Sequence, residues 1–248
     1  MQKSIQFSVV TFLCALIYTG CSYDPGPNSL GPGKTIPAKP GSTYTFKNVQ
    51  TDTTGKAIDS TTRYTRDSVV ATGKDTLGRT NVTDIANVDT TYGFVLSHTY
   101  LNFESNGDLS VYVGGNGSSF AGVALPDWRT YPMQTHTTFG VKVADTTITF
   151  PGIPLPIPLK VFDSMFYVNS GVYTVGTASI PVFNMKESLT YDATILFSAI
   201  TTSTARHISF SPSLGYIISD ITDPTKSPIG AIPSFGGLEV TLISYKLK

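Results

Sequence analysis

Almost no stretch of this chain repeats its apolar residues every three or four positions; the pattern that recurs is residue-by-residue alternation between clusters of turn formers. Alternation places successive side chains on opposite sides of an extended backbone, so such segments become half-buried strands rather than helices. Residues 44–49, 61–71, 80–88, 134–144, 146–150, 160–169, 177–198, 204–211, 216–221 and 238–246 read this way. Residues 52–56 and 73–78 read as turns between them. Asn106-Gly107 is the sharpest local signal, because both residues tolerate positive φ and favour a tight type I′ hairpin turn. The fold expected is all-β and mainly antiparallel, curved as a half-barrel or packed as a sandwich. The Gly-rich stretch 114–122 is the best candidate for an internal boundary, with Leu125-Pro126-Asp127-Trp128 opening a second half. In residues 151–158 proline alternates with aliphatics, which reads as an extended loop or edge segment because proline removes ladder donors. A partner that reads polyproline helices is the less favoured use of it.

The first twenty residues break the pattern. Lys3 precedes an uncharged, mostly apolar run over residues 5–17, too short for a permanent membrane span but the right length for the helix of a signal peptide. Tyr18-Thr19-Gly20-Cys21 follows, with small residues before a cysteine. Here the chain resembles the lipobox of bacterial lipoproteins, matching it at Gly20 and Cys21. The resemblance implies cleavage between Gly20 and Cys21, lipid on the Cys21 thiol, and a membrane as partner. Ser22 rather than Asp follows the cysteine, which resembles outer-membrane sorting. Residues 21–41 are dense in Pro and Gly and read as a flexible tether. The organisation expected is a signal peptide over 1–20, a lipidated tether over 21–41 and one β-rich domain over 42–248.

The totals narrow the function. Lys and Arg number 17, as do Asp and Glu. Lys3 lies in the leader, so the mature chain carries one net negative charge. No basic run appears, which argues against nucleic acid as a partner. Cys14 leaves with the leader and Cys21 is the lipid site, so the mature chain is expected to lack disulfides and thiol nucleophiles.

Little in the chain points to chemistry. His98 falls on the face of Tyr92, Phe94, Leu96 and Tyr100 and is expected to be partly buried. His207 points opposite to Ile208 and Phe210, hence outward, and His136 sits among Thr and Gln. None has metal-ligand spacing, so no metal site is expected. Residues 117–121 approximate a nucleophile elbow around Ser119, but no helix follows, so a Gly/Ser loop is the better reading. Asn102, Glu104, Asn106 and Asp108 alternate without the spacing of a calcium loop. Asp84 and Asp89 read as ordinary strand-end acids, and exposed aromatics such as the single Trp128 could stack on sugars. No cofactor motif is present.

Residues 210–217 and the closing strand through Ile243-Ser244-Tyr245 are similar to the C-terminal part of uncharacterised β-rich envelope lipoproteins. Independently, Pro212 sets φ for a turn and Gly215 relieves the strand start. The reading that follows is a non-enzymatic binding or structural module of the cell envelope, with an envelope protein as a possible partner. The alternatives are a carrier of a hydrophobic small molecule in an apolar cavity, by analogy with the half-barrel of lipoprotein carriers, and, last, a serine hydrolase using Ser119.

Overall fold

The computed structural model describes residues 38–105, 107–112, 119–120, 123–124, 127–133, 138–148, 156–195, 198–225 and 234–248. Gly20, Cys21, the leader and the tether up to residue 37 lie outside these, as do Asn106, His136 and residues 151–155.

The all-β expectation holds. The strands are β1 (Thr43–Gln50), β2 (Arg63–Thr76), β3 (Arg79–Asp89), β4 (Val95–Phe103), β5 (Leu109–Tyr112), β6 (Ser119–Phe120), β7 (Val123–Ala124), β8 (Trp128–Tyr131), β9 (Thr138–Ile148), β10 (Ile157–Val175), β11 (Ala178–Ile195), β12 (Ser198–Ser211), β13 (Tyr216–Thr222) and β14 (Leu238–Lys246). One 3-10 turn, Asp59–Thr61, is the only helical element among the described residues. No described helix is long and apolar enough to cross a membrane, a statement that does not extend to strands.

Twelve strands form one nearly closed antiparallel sheet in the order β8-β5-β4-β3-β2-β1-β14-β13-β12-β11-β10-β9. The chain starts in the middle at β1, meanders out to the edge strand β8, moves to the opposite edge β9, and meanders back until β14 pairs with β1. Only six residues separate Tyr131 from Thr138. A chain advances at most ~3.6 Å per residue, so the two edges lie within about 25 Å of each other. The sheet therefore curls on itself instead of splitting into a two-sheet sandwich. Bulges help it curl: the register slips at Thr45/Phe46, Val161/Phe162, Tyr167/Asn169 and Ser209/Phe210, and each bulge adds local twist and bend.

Several expected boundaries shift. β2 runs through residues 73–76, and the turn is Leu77-Gly78, both at positive φ (53° and 74°), closed by the Thr76–Arg79 pair. This is a type I′ turn. The turn expected at Asn106-Gly107 includes Asn106, outside the described residues; beside it Glu104 N–H donates to Asp108 O and Gly107 N–H to Glu104 O, with Gly107 at φ 89°. β10 extends past Asn169 to Val175, β11 falls on the expected strand 177–198, and β12 begins at Ser198, ahead of the expected 204. The β10–β11 turn is Gly176-Thr177, with Gly176 at φ 59° in the first central position. Residues 138–148 form one strand where two were expected, and Trp128 opens β8, which ladders with β5 across residues 114–122.

Proline behaves as an edge residue. Pro158 lies inside β10 but pairs only with β9, since the β11 ladder begins at Leu159. The tether does not stay free to residue 41: Ala38 is buried and Gly41 N–H donates to Val69 O at 2.9 Å.

The inward side chains form one apolar cluster around Tyr44, Phe46, Ile85, Leu101, Phe210, Leu214, Tyr216 and Ile218. Each large side chain removed from water there contributes roughly 1.5–3 kcal/mol. Tyr44 and Tyr216 pack with ring centroids 4.7 Å apart, and Tyr44 Oη donates to Leu214 O at 2.7 Å, which pins the turn before β13 onto β1. Gly215 in that turn takes φ 64°, as its place in the sequence suggested.

Candidate functional site

A band of charged and hydroxylated side chains crosses this interior. It begins with the register. In β10, residues 157, 159, 161, 163 and 165 all point inward, so Asp163 takes an inward position among Ile157, Leu159, Val161 and Met165. Arg206 in β12 likewise shares the inward face of Ile208 and Phe210, and Glu187 that of Met185 in β11. On the edge strand β8, Arg129 and Tyr131 reach inward to meet them.

Arg206 grips Asp220 with two parallel bonds, Nε to Oδ1 at 2.8 Å and Nη2 to Oδ2 at 2.6 Å. Its third nitrogen, Nη1, donates to Tyr131 Oη at 3.1 Å and to Glu187 Oε2 at 3.3 Å. Tyr131 Oη donates to the same Glu187 oxygen at 2.8 Å, and Arg129 Nη1 bonds the other. Arg129 Nε stands 3.7 Å from Asp163 Oδ2. Burial works against the charge on Arg206, but Tyr131, Asp220 and Glu187 outweigh it and hold its proton firmly. Burial, then the neighbouring Glu187 charge, pushes Asp163 up to about 6 against the pull of the two arginines.

A second buried acid lies on the other side. Asp67 in β2 accepts a 2.5 Å bond from Tyr216 Oη and another from Asn87 Nδ2. Burial raises its pKa, and those two donors oppose the rise. Between the groups a cleft of about 220 Å³ runs from β4–β5 to β12–β13, walled by Phe46, Tyr112 and Tyr216 and floored by Asp67, Arg206 and Asp220.

The residues singled out from sequence are dispersed. His98 is more exposed than expected; its Nδ1 lies 2.7 Å from Asp84 Oδ1 and its ring stacks on Tyr100. Asp84 is no strand-end acid: it sits within β3, is 3% exposed, and also takes Lys74 Nζ at 2.7 Å. Burial would raise its pKa, but the bonds from His98 and Lys74 prevail and lower it. Asp89 does end its strand, its Oδ1 accepting the amides of Thr91 and Tyr92. His207 points outward onto Asp223 at 3.1 Å. Ser119 belongs to β6, which pairs with β7, so a strand rather than a helix follows it. Asn102 bonds Arg79 and Thr80, Glu104 bonds Arg79 and Ser110, and Asp108 accepts from Met133 N–H. These three serve the hairpin and its neighbours. Trp128 donates to Leu77 O at 3.1 Å and lies under Arg79. The exposed aromatic pair is Tyr92 and Phe94, stacked at the β3–β4 turn.

Arg129, Asp163, Glu187, Arg206 and Asp220 drew no attention in the sequence. The signal was there for three of them: a charge in the inward register of an apolar strand, as at Asp163, Glu187 and Arg206.

No family model matches this chain, and no curated protein matches it. Two crystal structures align with it. One is of a provisionally named lipoprotein from Parabacteroides distasonis, with a TM-score of 0.46 at 12% identity over 87% of this chain and 100% of that one. The other is of a provisionally named exported protein with YmcC-like fold from Bacteroides fragilis, with a TM-score of 0.40 at 11% identity over 86% and 99%.

Proposed function

We propose that the chain is a module of the bacterial cell envelope, lipid-anchored at Cys21 in the outer membrane, that binds a small polar molecule rather than transforming one. The cleft between β4–β5 and β12–β13 is the binding site in this reading. One observation carries it: the charged groups facing the cleft are already paired, Arg206 with Asp220 and Asp67 with Tyr216. Groups held this way offer fixed donors and acceptors beside aromatic walls, but no base or nucleophile left free to react. The hydrophobic-carrier alternative fares less well. An acyl chain in this cleft would lie against Asp67, Arg206 and Asp220, and desolvating those charges without new partners is costly. At about 220 Å³ the cleft is also below the ~300–1,000 Å³ of drug-sized ligand pockets.

Two measurements test the reading. Fatty-acid labelling in the native host should disappear in Cys21→Ala; persistent labelling defeats the anchor. Native mass spectra of residues 22–248, before and after denaturation, address the site. A polar mass released on denaturation, and missing from a Thr99→Trp variant that fills the cleft, supports it. A released acyl chain returns the argument to the carrier, and a bare protein mass shifts it to a scaffold that meets envelope proteins.

A further inference from the structure

The near-closure of the sheet rests on side chains. Strand β8 ladders only with β5, and β9 only with β10, so no ladder joins the two edges among the described residues. What ties β8 across the interior is Arg129 and Tyr131, reaching Asp163 on β10, Glu187 on β11 and Arg206 on β12.

The charges in this tie do not balance. Two guanidinium groups, Arg129 and Arg206, face three carboxyl groups, Asp163, Glu187 and Asp220. Asp163 and Glu187 are each only 2% exposed, so water does little to screen the surplus negative charge. No donor is directed at either oxygen of Asp163. Its Arg129 contact, at 3.7 Å, is too long for a hydrogen bond,. The carboxyl within bonding reach is Glu187, which as a carboxylate can only accept,. A proton on Asp163 resolves both problems, neutralising the cluster and giving Glu187 a donor.

We infer that Asp163 holds a proton toward Glu187 and that this shared proton fastens edge strand β8, so that the sheet's closure is a proton-sensitive latch. The proton enters from solvent and returns to it; no bond other than the carboxyl O–H is made or broken. With the proton in place, the cluster is neutral and β8 is held. Without it, Asp163 on β10 and Glu187 on β11 repel, Glu187 is pushed off Arg129 and Tyr131, and β8, four residues long and laddered on one side, is the element that yields. The groups facing the pair are Arg129 and Tyr131 from β8, Tyr191 from β11 and Arg206 from β12, with Val141 of β9 opposite Asp163 in register. None of these facing groups titrates near neutrality of its own accord.

The single tryptophan, Trp128, belongs to β8, so its fluorescence reports on the latch directly. On the full chain, Trp128 emission should shift to the red as pH rises from 5 to 8, with a midpoint near 6, while far-UV circular dichroism stays constant. Stability in urea should fall over the same window. The sign follows from a carboxyl whose folded pKa lies above its unfolded one: the contribution is full below the unfolded value, ~3.9, and is lost on passing the folded value. Asp163→Asn, which carries no charge and can donate to Glu187, should abolish both changes. His98 also connects to Trp128 through Tyr100 and Tyr112. Because Asp163→Asn keeps His98, a transition that survives in that variant overturns the proposal. So does wild-type emission that is flat between pH 5 and 8. If Asp163→Asn does not fold, Glu187→Gln removes the surplus charge from the other side and should flatten the wild-type response in the same way.

Discussion

Asp67 and Asp163 are carboxyls buried almost equally, 7% and 2% exposed, on opposite sides of one interior, yet they live in different chemistry. Asp67 accepts from Tyr216 Oη and from Asn87. Asp163 meets a second carboxyl and a guanidinium held just too far for a bond. Both are shifted upward by burial, but donors oppose the shift at Asp67, whereas at Asp163 the Glu187 charge adds to it. The neighbours differ because what reaches them across the interior differs. Both lie between two ladders, Asp67 between β1 and β3 and Asp163 between β9 and β11. Asn87 stands opposite Asp67 in register, and Tyr216 reaches it from β13, a strand laddered on both sides. Asp163 is met by Arg129 from the edge strand β8, which arrives without a ladder. An acid facing laddered strands can be satisfied by them; an acid facing a closure depends on what the other edge brings.

The comparison breaks most visibly at Arg129. Replacing it with Met keeps much of the stem but leaves Glu187 and Asp163 without their nearest positive charge. Removing one partner of a buried ion pair typically costs ~3–5 kcal/mol, and a loss of that order is expected in urea unfolding at pH 7. Lowering the pH to 5 should recover part of it, because protonation then relieves the carboxyls that Arg129 held. A loss below about 1 kcal/mol would mean that β8 closes the sheet by packing alone.

At Asp67 the expected effect is smaller and leaves the pH response of the seam untouched. Asp67→Ala strands the buried Tyr216 hydroxyl and the Asn87 amide, a desolvation penalty of roughly 1–3 kcal/mol. The double variant with Tyr216→Phe should lose less than the two single losses added together, because the stranded hydroxyl is gone. Neither variant should alter the pH dependence of Trp128 emission. If Asp67→Ala does alter it, the two acids are coupled through Arg206 and Asp220, which stand in the same cleft.

How far these sites could be read from the sequence follows the same division. The strands of the mid-sheet region were legible because alternation and turn residues are local signals: β14 falls on its expected residues 238–246, and Gly215 and Pro212 mark the turn into β13. The type I′ turn at Leu77-Gly78 was not legible, because Leu77 adopts positive φ under the constraint of the β2–β3 register rather than by its own preference,. Turn propensity lost to pairing. Strand order, curl and the seam were not legible, since nothing within β8 states that its partners lie on strands two, three and four places later. Asp163 and Arg206 did carry a readable mark, a charge where the alternation demands an apolar residue. What no single sequence gives is that the two marks meet.

Asp84 supplies the finest test, as a third buried acid of opposite sign. Burial raises its pKa, but bonds from His98 Nδ1 and Lys74 Nζ lower it overall. A carboxyl depressed in this way contributes stability above its unfolded value, ~3.9, and loses it as pH falls through its folded value. Both partners are substantially exposed, His98 at 40% and Lys74 at 47%, so solvent screens the pair and the contribution stays at about 1 kcal/mol or less. Asp84→Asn should therefore cost a little at pH 7, progressively less as pH falls below the unfolded value, and less at pH 7 in ~1 M salt than in ~0.05 M. Asp163→Asn should do the reverse with pH, gaining stability at pH 8 relative to wild type and matching it near pH 4. If the two variants gave parallel pH profiles, burial alone would govern these acids, and the distinction between an acid satisfied within the sheet and one exposed to a seam would fall.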